Sequence, residues 1–262
     1  MRHSLAVGTL VAALVGVANS ALAGSLKDEP TAAPTPIHYF RIDAGMTWSD
    51  TDQGTWVSPS NEGGARGNWR LEDDEAFIAG IAVGRTLMPG LRGDISGMFI
   101  GGQRYDGCRI PGGQGNVPAC GQASVESSVD TAAIMANIFV EPLTLLGHGG
   151  RIRPFLTAGI GVAFNDMNGW TRINPTNQQH PIRNFSGDTE TSFAWTIGGG
   201  ASIDIGSLFG GYPVALDVTY RYIDAGHAEG GLVPDVGNGI PNEALNYDVT
   251  FHAVTAGLRV PF

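Results

Sequence analysis

Three side chains close to the C-terminus, Asp248, Thr250 and His252, are of the types that hydrolytic enzymes combine. A hydroxyl group can serve as nucleophile, an imidazole as its base, and a carboxylate as the group that orients the base. Side chains two residues apart on a strand share one face but lie about 7 Å apart, beyond the reach of a hydrogen bond. We therefore expect no enzymatic activity and interpret His252 as an interfacial residue.

A larger set of charged side chains combines arginine with aspartate. Its members are Arg41, Asp43, Arg92, Asp94, Arg153, Asp204, Asp217, Arg221 and Arg259. In each of six strand-like segments these residues occupy positions opposite an apolar face. If those polar faces enclose one interior, the two signs can pair across it. The sequence therefore predicts a shared ion-pair network.

The two cysteines of the chain, Cys108 and Cys120, lie in a polar stretch rich in glycine and proline. An even number of cysteines in an exported chain favours a disulfide. Two cysteines without nearby paired histidines make a poor zinc site. We expect a Cys108–Cys120 disulfide, no metal site and no cofactor.

Eight segments that alternate apolar and polar residues would position these side chains. They cover residues 37–48, 75–87, 91–100, 125–140, 151–164, 191–205, 214–223 and a terminal segment that ends at Phe262. A period of two is typical of β-strands that have one face in an apolar environment. The sequence therefore predicts an all-β protein of eight strands.

The connections between these segments alternate in length. Short links fall at residues 88–90, 141–150 and 206–213, and long polar loops fall at residues 49–74, 101–124, 165–190 and 224–246. This alternation is typical of antiparallel barrels in outer membranes. Aromatic residues at the strand ends, Trp48, Tyr222 and Tyr247, would form an interfacial girdle.

The start of the chain indicates export. Arg2 and His3 precede an apolar run, and Ala21-Leu22-Ala23 has the small-x-small pattern that signal peptidase requires. We divide the chain into a signal peptide at residues 1–23, a short periplasmic leader at 24–36 and a barrel at 37–262.

The end of the chain agrees with this division. Leu258, Val260 and Phe262 continue an apolar alternation that stops on an aromatic residue. This ending is similar to the C-terminal insertion signal of bacterial outer-membrane barrels. Pro261 departs from the usual pattern, because it cannot donate a backbone hydrogen bond next to the last residue.

After the signal peptide the sequence has no apolar run of about 20 residues that could form a membrane-spanning helix. A chain that spans a membrane must satisfy its backbone polar groups internally, so a closed barrel is the structure that agrees with both export and this lack. The composition agrees, with 39 glycines and 42% hydrophobic residues. The net charge of −10 disfavours nucleic acid as a partner. A soluble lipocalin-like barrel is the structural alternative, but its apolar faces would point inward around a ligand.

Five sequence segments in the second half of the chain are AAIMANIFVEP, RIRPFLTAGIGVAFND, TSFAWTIGGGASID, ALDVTYRYIDAG and HAVTAGLRVPF. These segments resemble the porin-family small outer-membrane proteins. That group is similar in architecture to the transmembrane domain of outer-membrane protein A and to opacity-type surface proteins. The resemblance implies an eight-stranded antiparallel up-and-down barrel in the outer membrane. It also implies contact with outer-membrane lipids and lipopolysaccharide, and insertion by the barrel assembly machinery through the last strand.

We expect a structural or envelope role with at most weak passage of small solutes, because side chains fill the interior of an eight-stranded barrel. The same charged residues could instead line a selective pore. A surface adhesin or antigen whose outer loops bind a ligand is an alternative, since barrel architecture does not specify what loops bind. An outer-leaflet lipid-modifying enzyme is the least favoured, because the deacylases of this size have a serine where the chain has Thr250.

Overall fold

The computed structural model describes residues 38–49, 51–60, 64, 66–110, 123–175, 177–208, 212–237 and 239–262. The predicted signal peptide, the leader and Cys120 lie outside these residues, so their assignments stay predictions. The described chain forms β1 (His38–Ser49), β2 (Gln53–Val57), β3 (Arg66–Asp73), β4 (Ala76–Met88), β5 (Leu91–Ile110), β6 (Ser124–Val140), α1 (Pro142–Leu145), β7 (Ile152–Ile173), β8 (Ile182–Phe185), β9 (Asp188–Leu208), β10 (Tyr212–Glu229) and β11 (Glu243–Pro261). No helix in this part of the chain is long and apolar enough to cross a membrane.

Eight of the strands close into a barrel in which all neighbours are antiparallel. Their order around the ring is β1, β4, β5, β6, β7, β9, β10, β11 and back to β1. The seam pairs Phe40 with Val260. Pro261 does not open it, because the backbone N–H of Phe262 donates to the His38 carbonyl at 2.9 Å. The predicted eight-stranded antiparallel barrel is confirmed.

The three remaining strands extend one end of this barrel. The β2–β3 hairpin pairs with β11 on one side and β5 on the other, and β8 pairs with the end of β7. We call this the outer end, and the end with the short connections and the described chain termini the inner end. The predicted long loops are therefore wrong over much of their length, since strands β2, β3 and β8 and parts of β5, β7, β9, β10 and β11 lie in them.

The barrel exterior is apolar over part of its height. On β7, Ile152, Leu156, Ile160 and Phe164 point outward with exposed fractions between 40% and 62%. The next outward residue is the exposed Asp166. Twelve residue steps span about 40 Å along a strand, which a tilt of about 45° reduces to about 28 Å. This belt matches a hydrocarbon core and excludes the soluble barrel with inward apolar faces.

The apolar face of the strands changes sides at the outer edge of this belt. On β11, Val254 and Leu258 point outward below His252, whereas Val249 and Phe251 above it point inward and are fully buried. Outside the barrel, lipid gives way to water at this level. Apolar side chains that faced lipid below are therefore replaced by apolar side chains that face the interior above.

Candidate functional site

The interior at the inner end holds the predicted ion-pair network. All nine predicted residues face it, from β1, β5, β7, β9, β10 and β11. Arg41 is 1% exposed. Its Nε donates to Asp43 at 2.9 Å, and its Nη1 lies 3.1 Å from Asp94 Oδ2. The same Asp94 accepts a hydrogen bond from Asn137 at 2.8 Å, so the first part of the network joins β1 to β5 and β6.

Asp217 is the centre of the second part. It is 1% exposed. Arg92 Nη1 donates to it at 3.1 Å, Arg259 Nε at 3.0 Å and Ser202 Oγ at 2.5 Å. One carboxylate therefore compensates two guanidinium groups that come from strands on different sides of the ring.

Glu141 completes the charge balance, and sequence reasoning missed it because it lies in a predicted turn. It is 7% exposed. Its carboxylate lies 3.3 Å from Arg153 Nε and 3.8 Å from Arg92 Nε. Arg153 also forms a two-point ion pair with Asp204. Five arginines thus face five carboxylates in the inner end of the barrel, and the signal for Glu141 was an acid two residues after the inward Phe139 at the end of β6.

Phe139 lies among three of the guanidinium groups. The distances from its ring centroid to their central carbons are 4.2 Å for Arg92, 5.0 Å for Arg41 and 6.0 Å for Arg221. Arg221 leaves its Nε and Nη2 without hydrogen bonds. Its electrostatic partners are Asp43 and Asp94. The ring face therefore adds cation–π stabilisation where carboxylate oxygens do not reach.

Inward glycines make the room that these large side chains need. A Cβ atom added to Gly84 would lie 2.2 Å from the Tyr39 ring, and one added to Gly257 would lie 2.1 Å from Asp43 Oδ1. Substitution at Gly84 would displace Tyr39, whose hydroxyl donates to Asp94 at 3.2 Å, and substitution at Gly257 would displace Asp43. These glycines within β4 and β11 thus set the shape of the charged interior.

The interior at the outer end is apolar, which corrects the prediction of a polar face along the whole barrel. Its buried residues include Ile78, Met98, Ile100, Val129, Met135, Ala163, Met167, Ala194, Ile223, Leu245, Val249 and Phe251. Tyr247 belongs to the same core and is 3% exposed, so its predicted place in an interfacial girdle is wrong. Side chains rather than a polar channel fill this half.

An aromatic cover closes the outer end; we use this name for Trp56, Trp170 and Phe185. Trp170 stacks on Phe185 at a centroid distance of 3.9 Å and meets Trp56 edge-on at 6.2 Å. The indole N–H of Trp170 donates to the carbonyl of Gly231 at 3.0 Å. The segment after β10 is thus tied across the cover.

No family model matches the sequence, and no curated protein does so. Among solved structures, Neisserial surface protein A is 16% identical, covering 86% of this chain and 97% of that chain with a TM-score of 0.41. The outer membrane protein OprG from Pseudomonas aeruginosa is 14% identical, covering 87% and 97% at 0.46. The outer membrane protease OmpT from Escherichia coli is 12% identical, covering 89% and 99% at 0.46. We take no role from these likenesses.

The exterior of the ring decides the class of protein. Eight antiparallel strands close on themselves, an apolar belt of hydrocarbon height surrounds them, and short turns at one end oppose long connections at the other. The chain is an outer-membrane β-barrel. In this class the short turns and the chain termini face the periplasm, so the aromatic cover lies on the cell surface.

The three residues with catalytic side-chain types point outward at the outer edge of the barrel's belt, but each has a different partner. His252 Nδ1 lies 2.7 Å from the Tyr220 hydroxyl. Asp248 pairs with His227 at 2.6 Å, and Thr250 Oγ1 lies 3.3 Å from Thr51 Oγ1. These bonds lead away from one another, so the described contacts do not assemble a nucleophile, base and orienting acid.

The other predicted positions are placed as follows. Cys108 is buried in the outer half of β5. Its pairing with Cys120 stays a prediction, because Cys120 lies outside the described residues. Leu258 points outward at 47% exposure, and Phe262 stacks on His38 at 6.0 Å. Among the described residues, no group of three or more metal-binding side chains is placed to hold an ion.

Proposed function

We propose that this barrel has a structural role in the outer membrane and that its interior stays closed, with at most weak passage of small solutes. The main support for the proposal is that side chains fill the interior at both the inner and the outer end. Charged groups neutralise one another at the inner end, and an apolar core under an aromatic cover fills the outer end. Ions crossing the barrel would have to displace both.

Planar-bilayer conductance of the refolded barrel tests this proposal. Folding is checked first by comparing the migration of unboiled and boiled samples in gels. We expect the wild type to show conductance close to that of the bare bilayer. A large and steady wild-type conductance would reject the closed interior and favour the charged residues as the lining of a pore.

A second candidate function is binding at the cell surface through the outer end. Three large apolar side chains outside the belt, Ile182, Val233 and Ile240, are 55%, 66% and 58% exposed. A contiguous apolar patch with a polar rim commonly marks an interaction site, and we propose that these three side chains contribute to one. Cells that carry the Val233→Ser and Ile240→Ser changes should adhere less to host or neighbouring cells. Equal adhesion of variant and wild type would remove this candidate.

We further propose that the barrel is not an enzyme. The separate partners of Asp248, Thr250 and His252 support this. The masses of outer-leaflet lipids extracted from cells with wild-type protein should equal those from cells with Thr250→Ala or with a chromosomal deletion. A lipid mass that disappears in both strains would instead identify a lipid-modifying activity.

A further inference from the structure

Tryptophan and tyrosine are distributed unevenly around the outside of the barrel. Four of them point outward at the outer edge of the belt, and they lie on β1, β9 and β10, which with β11 form four adjacent strands. They are Trp48, Trp195, Tyr220 and Tyr222. On the opposite side, β4, β5 and β7 have the phenylalanines Phe77, Phe99 and Phe164 at the corresponding level. A girdle that only anchors the barrel would have no need of this asymmetry.

Three of these side chains, Trp48, Tyr220 and Tyr222, surround His252 of β11, and Trp195 packs on Tyr222 at 5.4 Å; we call the five residues the aromatic face. The ring of His252 lies near-parallel to that of Trp48 at 5.7 Å and to that of Tyr220 at 6.0 Å. Tyr222 meets it edge-on at 5.4 Å. Trp48 remains 40% exposed and Tyr220 47%. The rings therefore hold one another in place while presenting surface to the outer leaflet.

Carboxylates border the aromatic face on the side away from the membrane. Asp224 accepts hydrogen bonds from the Trp195 indole at 3.1 Å and from the Gly226 backbone at 2.9 Å. The second bond fixes a bulge in β10, where Gly226 has a φ of 82°. The bulge keeps both Asp224 and His227 on the outside, and His227 pairs there with Asp248. The position of this acidic border thus depends on the backbone bulge in β10.

The charges of the aromatic face and its border indicate which class of ligand can bind there. Every arginine on β1, β10 and β11 within the described residues points into the barrel, so these strands offer a bare phosphate carboxylates and no guanidinium group. Hydroxyl groups, in contrast, can donate to carboxylate oxygens, and a saccharide ring has an apolar face that packs on aromatic rings. Lipids with sugar headgroups present both features at this depth of the membrane.

We propose that the aromatic face and its acidic border bind the saccharide of an outer-leaflet glycolipid. The stacked pair Trp48 and His252 supports the ring, and Asp224 and Asp248 accept hydrogen bonds from its hydroxyls. The proposal depends on the orientation of the barrel in the outer membrane and is independent of whether the interior is closed.

Native mass spectrometry of the refolded barrel in detergent, titrated with a neutral diglycosyl diacylglycerol, tests the site. Trp48→Leu keeps an apolar anchor but removes the aromatic surface, and Asp224→Asn weakens the acceptor. Each should weaken binding about tenfold, the scale of one aromatic contact. Phe164→Leu, at the same level on the opposite side, is the matched control and should change binding less than twofold.

Cardiolipin serves as the second probe, because it has phosphates and no sugar. The wild type should bind it more weakly than the neutral glycolipid, and Trp48→Leu should not change that binding. Equal losses for Trp48→Leu and Phe164→Leu, or equal losses for both lipids, would show a general membrane anchor and overturn the proposal. A wild-type dimer that Trp48→Leu dissociates would overturn it too, since the face would then be covered by a second copy. Heat-dependent gel migration verifies that each variant is folded.

Discussion

The two halves of the barrel interior are closed by different physical interactions. At the inner end, charged side chains that are almost fully buried neutralise one another, with Asp217 shared by Arg92 and Arg259. At the outer end, apolar side chains such as Leu245 and Phe251 form the core, and the buried Arg172 lies against the Trp56 ring of the cover. Within the membrane the apolar face of each strand contacts lipid, so its polar face points into the interior. Above it the same strands behave like those of a soluble protein.

This difference predicts how a destabilising substitution in each half changes the protein. Removing one member of a buried ion pair leaves an uncompensated charge that attracts water and costs several kcal/mol. Removing part of an apolar side chain leaves a cavity, and an apolar cavity stays dry. Damage to the inner half should therefore affect both stability and conductance, whereas damage to the outer half should affect stability alone.

The largest effect is expected for Asp217→Ala. It leaves Arg92 and Arg259 without their shared carboxylate, so the barrel should lose about 3 to 5 kcal/mol of stability. Urea unfolding in detergent measures the loss, and bilayer recordings should show a conductance above the wild-type value. The outward neighbour Val218→Ala is the control and should change neither. If Asp217→Ala leaves both the unfolding midpoint and the conductance unchanged, the ion-pair network does not close the inner half.

A somewhat smaller effect is expected for Leu245→Ala in the outer half. Leu245 is fully buried, and truncating such a leucine costs about 3 kcal/mol through lost burial and the remaining cavity. Urea unfolding should show this loss, while the conductance should stay at the wild-type value because the cavity is apolar. An increase in conductance like that of Asp217→Ala would erase the proposed contrast between the halves.

The same contrast explains which parts of the fold the sequence predicts. Along β10, Val214, Val218 and Tyr222 alternate with polar residues, and this pattern predicted the spanning strand. Beyond Ile223 the apolar residues move to the other parity, since water replaces lipid outside. The pattern then becomes irregular and predicts loops where the outer parts of the strands lie. A change of parity within one strand was the signal that could have located the membrane boundary.

The site was predictable to a similar extent. Alternation placed all nine charged residues in the interior, because their faces were opposite the lipid. It could not supply their pairing, which depends on register across the ring. Glu141 was missed because a residue in a turn has no parity, although the turn brings it back under the barrel to Arg92 and Arg153.

The predicted disulfide adds a covalent restraint to the outer half alone. Closing the short segment between Cys108 and Cys120 should contribute up to about 3 kcal/mol by restricting the unfolded chain. A Cys108→Ser, Cys120→Ser double variant should unfold at lower urea by that amount and should conduct like the wild type. A reducing agent should lower the midpoint of the wild type and leave that of the variant unchanged. Thiol labelling of both cysteines in unreduced native protein would refute the pairing.

The smallest effect concerns the surface segment over the aromatic cover, where Asp235 binds Asn184. The side-chain and backbone N–H groups of Asn184 donate to the carboxylate at 2.7 and 3.0 Å, and they lower its pKa below the ordinary value. A carboxyl with a lowered pKa in the folded state stabilises it above the unfolded pKa of about 4 and loses this contribution as the pH falls below that value. Hydrogen exchange of the Asn184 amide should therefore be equally protected between pH 7 and 5 and become faster, relative to its intrinsic rate, in more acidic solution. Asp235→Asn, which cannot ionise, should remove this pH dependence, and the inner half should be unaffected by the substitution. If the variant retained the same acid response, Asp235 would not be the group that holds the segment over Trp170 and Phe185.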